Sequence, residues 1–359
     1  SFFLIRFFLS ILLCFLTLFV TGRISDMDYL LGFIEYDAGG TTSIVAKEIF
    51  SKLSFVDNRY LIISLIATVS SFLLFILIKS FIDKENTNVW RLILLAPGLL
   101  IYTNSVTKET LFLYPAIAFI ILECFSLTGK DSKPINFYLN FILKILLLTF
   151  MISIRGDLTA PYILLLLVNM ILKNIDFGII FKNLKFKSLF IRSFFISFFI
   201  TFALMFFRED FFTRTIIYLQ SSFRYENTFR PTVNIEFIRN PLNFIYIQYL
   251  SLFPTPLELI EKPYKVTIII DSLILFFSFS EAWKRLFRIV NSYKRTKKII
   301  ALLFSFITVV YFSLFAILGS FNLGSSQRLR TNFIPIGIIF PLILEKNIRD
   351  KKFISKSYS

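Results

Sequence analysis

The 359-residue chain contains no histidine, two cysteines, 11 glycines and 11 prolines. Lacking His, it has neither the commonest general base at neutral pH nor the commonest zinc ligand. The two cysteines, Cys14 and Cys124, each lie in an apolar run. They imply no disulfide framework and read as small packing residues. Alternating apolar and polar residues are absent, which argues against a membrane β-barrel. No internal repeat or inverted symmetry is visible, which weakens a transporter reading. Acidic residues are also scarce, 23 against 39 Lys and Arg, for a net charge of +16. In a soluble protein that excess would suggest a nucleic-acid partner. Here the distribution of the basic residues accounts for it, and no nucleic acid is expected.

What the chain has in quantity is apolar length. It is 56% hydrophobic, contains 48 Phe and has a mean hydropathy of +0.73. Runs of roughly 20 apolar residues recur, each long enough to cross about 30 Å of hydrocarbon as a helix. The expected fold is all-α: a polytopic membrane protein of about ten spans, near 2–21, 60–80, 90–103, 110–128, 137–154, 158–173, 188–207, 266–283, 299–319 and 331–345. The first run is too long for a typical signal-peptide core and has no clear cleavage site at Thr21-Gly22-Arg23, so it is read as a retained span. Residues 1–359 form a single transmembrane domain on this reading, with a large loop at 208–265 between the seventh and eighth spans.

The connections alternate in charge. Those near 80–90, 129–136, 174–187 and 284–298, together with the tail from Lys346, are basic, which assigns them and both termini to the cytoplasmic side. The inward segments hold 18 basic residues, 14 of them Lys; the outward segments hold 15, 10 of them Arg, beside 14 carboxylates. Insertion explains inward Lys, whereas outward Arg needs another reason. A guanidinium grips phosphate with a planar fork and keeps its charge. An anionic, phosphorylated ligand on the outer face would supply that reason.

Three short outward turns and one long loop carry the candidate chemistry. Asn104-Ser105-Val106-Thr107-Lys108-Glu109 forms a polar hairpin, and Arg155-Gly156-Asp157 forms a second. Gln327-Arg328-Leu329-Arg330 precedes the last span, against the usual charge bias. The long loop interleaves Arg224 and Arg230 with Phe223, Tyr225 and Phe229, a mixture that suits sugar rings and equally suits a membrane interface. The plain alternative is that these charges are interface anchors paired with nearby carboxylates. Glu123 and Asp271 are the only acids well inside spans, with Lys144 the only such base.

The Asn104-Ser105-x-x-Lys108-Glu109 turn, the Arg155 turn, the Gly324-x-x-x-Arg328 segment before a Pro-containing span and Ser25-Asp26-x-Asp28-Tyr29 after the first span together resemble bacterial O-antigen polymerases and the related exopolysaccharide polymerases. The resemblance implies a GT-C-like architecture and a multi-pass protein of the bacterial inner membrane with a periplasmic active site. It implies a metal-independent glycosyltransferase without a cofactor, which moves a growing glycan from undecaprenyl diphosphate to a new lipid-linked repeat unit. Its implied partners are that lipid-linked oligosaccharide, membrane lipid and a chain-length co-polymerase. Carried onto this chain, Arg155, Arg328 and Arg330 hold the diphosphate with Lys108, and Arg224 or Arg230 closes from the loop. Glu109, Asp28 or Asp157 is the base. The histidine proposed in related ligases has no counterpart. Two alternatives stand beside this one. The first is a transferase using a polyprenyl-phosphate sugar, with Asp26 and Asp28 or Glu35 and Asp37 as its acidic pair. The second is a flippase for the lipid-linked glycan.

Overall fold

A computed structural model of the chain describes residues 2–21, 30–31, 44–53, 55–56, 58–79, 87–128, 134–172, 185–207, 230, 233, 235–291, 294–311 and 316–357. These residues are 90% helical, with no strand among them. Four helical stretches are long and apolar enough to cross a membrane: Arg59–Leu77, Lys108–Thr128, Tyr138–Gly156 and Pro263–Val290. Leu4–Val20, Leu158–Met170 and Ile299–Val310 are shorter apolar helices. The chain groups into two compact units. The first comprises Ser1–Met170, Ile274–Ile289 and Thr331–Ser359; the second comprises Ile171–Leu273 and Val290–Arg330.

In the first unit, the helix Phe2–Thr21 packs on Arg59–Lys79, with Phe15 edge-on to Tyr60 at 4.9 Å between centroids. The expected span at 90–103 is broken into Thr87–Leu94 and Pro97–Tyr102. Proline disfavours helical backbone in the residue before it, and Ala96 is accordingly extended at ψ 123°. The two pieces have 8 and 6 residues, together about 21 Å of helix, too short to cross hydrocarbon.

This shortness changes the place of the turn that follows. It was expected as an outward hairpin, yet Thr103 through Thr110 is buried throughout. Ser70 donates to the Thr103 carbonyl, and Cys14 lies 4.0 Å from that of Asn104. Both belong to the middle portions of their helices; Ser70 lies about 16 Å along the helix from Arg59. The turn therefore stops at half-height beside its neighbours. Non-helical backbone at that depth must have its polar groups satisfied by protein. Thr107 donates to the Tyr102 carbonyl at 2.6 Å, Thr110 to that of Ser105 at 2.6 Å, and Ser105 to that of Ile101 at 2.8 Å. The hydroxyl-rich composition of the turn is thus explained largely by capping.

The expected spans at 137–154 and 158–173 form one helical run, Pro134–Leu172, interrupted at Arg155 (φ −148°, ψ 75°). The side chains show that the run folds back there. Lys144, eleven residues before the break, and Asn169, fourteen after it, both bind Glu123. A straight helix would hold the two about 37 Å apart. A single non-helical residue thus does the work of the expected turn. Tyr162 on the returning arm packs edge-on against Phe112 and Phe119 of the Lys108–Thr128 helix, and its hydroxyl donates to the Asn332 carbonyl at 3.2 Å. Trp283 is fully buried and donates its indole N–H to the Gly337 carbonyl at 2.7 Å, in a π-helical turn at Pro335–Ile339.

The second unit pairs the helices Phe186–Phe207 and Lys294–Val310, with Phe186 and Phe190 against Phe304, and pairs Phe244–Leu252 with Ala316–Phe321. Much of the expected long loop is therefore helical from Ile235 onward: Ile235–Arg239, Phe244–Leu252 and Pro256–Glu261. Gly319 admits the Leu323–Ile334 helix at close range, since a Cβ there would lie 2.8 Å from the Ser326 hydroxyl.

Candidate functional site

In the first unit Glu109 and Glu123 meet opposite charges, whereas the fully buried Arg6 donates only to the Ser71 hydroxyl, at 3.0 Å, among the described residues. Glu109, in the first turn of the Lys108–Thr128 helix, is fully buried and accepts from Arg155 Nη1 at 2.9 Å. Fourteen residues along the same helix, Glu123 takes Lys144 at 2.5 Å on one oxygen and the Asn169 amide on the other. Lys144 also donates to Ser126 at 2.7 Å. Two ion pairs, separated by about 21 Å of helix, thus tie Lys108–Thr128 to the run that folds back at Arg155. Removing one partner of such a pair leaves an uncompensated charge at a cost of about 3–5 kcal/mol. Lys108 is also buried.

The second unit holds its arginines differently. Arg230 is buried and fully engaged: Nε and Nη2 donate to Glu258 at 2.8–3.2 Å, Nη2 also to the Phe253 carbonyl, and Nη1 to the Leu250 and Ser320 carbonyls. Glu258 also accepts from Lys265 at 3.0 Å and closes a capping box with Thr255 at the head of Pro256–Glu261. Burial alone would raise the Glu258 carboxyl. Hydrogen bonds from Arg230, the Thr255 amide and Lys265, with the charge of Arg230, outweigh it and lower the group from 4.5 to about 2. Arg230, expected to close onto a ligand from a mobile loop, is instead the centre of a locked structural knot.

Arg330 has no carboxylate within ion-pair reach among the described residues. Its Nε donates to the Ser326 carbonyl at 3.3 Å, and Nη1 to the Leu252 carbonyl at 3.0 Å and to the Ser272 hydroxyl. Nη2 is buried with no hydrogen-bond partner among the described residues. A guanidinium positioned by neutral dipoles keeps its full charge for an incoming anion, and the open nitrogen supplies a donor. Arg328, two residues earlier, is half-buried. Asp271 is fully buried beside Ser272, and Tyr311 lies within electrostatic reach of both Asp271 and Arg330.

The candidates thus separate. Lys108, Glu109 and Arg155 belong to the first unit; Arg230, Arg328 and Arg330 belong to the second. Asp157 lies on the helical run of the first unit, but its side chain is outside the described set. Asp28 and Arg224 lie outside the described residues altogether. In the sequence Asp271 is an acid inside a span with no evident role. An acid within the apolar run Val266–Phe277 was the available signal. The partners Glu258, Lys265 and Ser272 carried none, because their significance lies in contacts distant along the chain. Comparison with protein-family models, with curated proteins and with solved structures finds no match to this chain.

Proposed function

We propose that the protein is a membrane glycosyltransferase of GT-C-like architecture that polymerises lipid-linked oligosaccharide repeat units at the periplasmic face of the bacterial inner membrane. The growing glycan leaves undecaprenyl diphosphate and joins the nonreducing end of a new repeat unit. The observation that carries the proposal is Arg330: a buried guanidinium, held by two backbone carbonyls and a serine hydroxyl, with one nitrogen open. A diphosphate becomes a good leaving group once its developing charge is met by a fixed cation in a site of low dielectric. Arg328 adds a second cation on the same short helix. Arg155 sits in a break between apolar arms, where Glu109 orients it, and serves the same chemistry as a second grip in its own unit. The acidic residues required by a polyprenyl-phosphate-sugar transferase, Asp26, Asp28, Glu35 and Asp37, lie outside the described residues.

The deciding experiment supplies purified protein in lipid nanodiscs with diphosphate-linked repeat units extracted from cells that lack it, with and without EDTA. Chain length is read on a gel. The expected result is a ladder of polymer in both conditions. Repeat units left intact by folded protein would sink the proposal, and polymer formed only without EDTA would move the reading to a metal-dependent transferase.

A further inference from the structure

We infer that Arg6 is the inner grip of a phosphate-binding site at one end of the first unit, a site independent of the polymerase reading. Arg6 lies on the Phe2–Thr21 helix, one turn after Phe2, and is fully buried. Its Nη1 donates to the Ser71 hydroxyl at 3.0 Å, while Nε and Nη2 are buried with no hydrogen-bond partner among the described residues. Phe15 meets Tyr60 and Arg6 meets Ser71, so the two helices run antiparallel. The Arg6 end of the first therefore lies beside the Lys79 end of the second. A snorkelling arginine at such a place would carry its guanidinium outward to water. Arg6 does the reverse, because Ser71 lies eight residues, about 12 Å of helix, inward from Lys79.

The surroundings of Ser71 are neutral. Ser70, the preceding residue, donates to the Thr103 carbonyl and meets the Tyr114 hydroxyl, which itself donates to the Ser70 carbonyl at 3.0 Å. A buried cation held by one hydroxyl leaves most of its desolvation cost unmet, and an anion would meet it. The shape of the anion follows from the open nitrogens. Nε and Nη2 form one edge of the guanidinium, the fork that takes two oxygens of a single group side by side. A second cation stands close by. The exposed Arg91 places its guanidinium carbon 6.0 Å from the centre of the Phe2 ring, and Phe2 shares a helix face with Arg6. Two oxygens for the fork and a third for Arg91 describe a phosphate group, whereas a carboxylate has only two. The phosphate is carried by a lipid headgroup or is free in solution.

The test uses the full chain in an uncharged detergent. It reads the rise in Tm with dioctanoyl phosphatidic acid, dioctanoylglycerol or inorganic phosphate, and takes an affinity from each titration. Phosphatidic acid or inorganic phosphate is expected to stabilise the wild type saturably, and dioctanoylglycerol is not. A shift with phosphatidic acid alone assigns the site to a lipid headgroup, and an equal shift with inorganic phosphate assigns it to the free ion. Arg6→Lys keeps the charge but loses the fork, and is expected to weaken the affinity by about tenfold or more. Arg91→Gln removes the outer cation from an exposed position and is expected to weaken it about fivefold. No shift with either phosphate probe would overturn the site, as would an equal shift with dioctanoylglycerol. So would an Arg6→Lys affinity within twofold of wild type. Should Arg6→Lys fail to fold, Arg91→Gln decides: an affinity within twofold of wild type overturns the site, and a fivefold loss supports it.

Discussion

Glu123–Lys144 in the first unit and Arg330 in the second are both buried charges within helices, and the protein treats them in opposite ways. Lys144 meets a carboxylate, a serine hydroxyl joins it, and Asn169 fills the other carboxylate oxygen. The charges cancel, and three helical arms are fixed. Arg330 meets carbonyls and a hydroxyl, so its hydrogen bonds are partly satisfied while its charge is not. A cancelled charge is a fastening. A charge positioned by neutral dipoles is held ready for a ligand. Arg230 tests the distinction within the second unit, because saturation by Glu258 and three carbonyls puts it among the fastenings despite its place on the expected binding loop.

The largest expected effect lies at the fastening inside the membrane. Lys144→Met leaves Glu123 buried and unpaired, and should cost about 3–5 kcal/mol in reversible unfolding in mixed micelles. The double variant Lys144→Met with Glu123→Gln should recover most of that loss. If the single variant unfolds like wild type, the pair is not a fastening and the comparison fails.

Arg330→Lys should leave unfolding almost unchanged and lower polymerisation about 100-fold, since Lys keeps the charge but loses the fork. A stability loss as large as that of Lys144→Met would place Arg330 among the fastenings. Arg155→Lys separates the two roles at a third position. Retained pairing with Glu109 predicts near-normal unfolding, and a second diphosphate grip predicts a fall in activity of about tenfold or more.

Arg230→Lys should show the reverse pattern to Arg330→Lys. Loss of several charge-assisted hydrogen bonds should destabilise the protein by about 1.5–3 kcal/mol, with activity falling only in step with the folded fraction. The smallest effect is one of pH. The Glu258 carboxyl is lowered from 4.5 to about 2, so its contribution to stability is complete above 4.5 and is lost as pH falls from there toward 2. Glu258→Gln should flatten that acid limb. An unchanged limb would mean that the Arg230 knot contributes nothing to folding.

The all-α membrane class was legible in the chain, and four of the expected spans coincide with helices long and apolar enough to cross a membrane, because about 20 apolar residues in a row have few other ways to fold in lipid. Pro97 stands at the break in the third expected span, and Gly156 beside Arg155 at the reversal. The turn at Thr103–Thr110 was misplaced in depth. Its polar residues suggested the surface, whereas their hydroxyls serve the turn's own carbonyls. Arg155 and Arg330 stood out in the sequence as arginines beside apolar runs, but sequence alone could not distinguish them from Arg230, since all three looked like cations on the same face.

Apolar run length, the Lys-rich connections and the absence of histidine were determined by the sequence itself, because partition into a bilayer and the chemistry of a side chain are local properties. Which carboxylate neutralises which cation was decided only by the tertiary structure. Glu123, Lys144 and Asn169, or Arg330, Leu252 and Ser272, come together through helix packing, and separation along the chain does not specify it. A buried charge is a fastening or a ligand site according to those neighbours, and that choice separates Arg230 from Arg330.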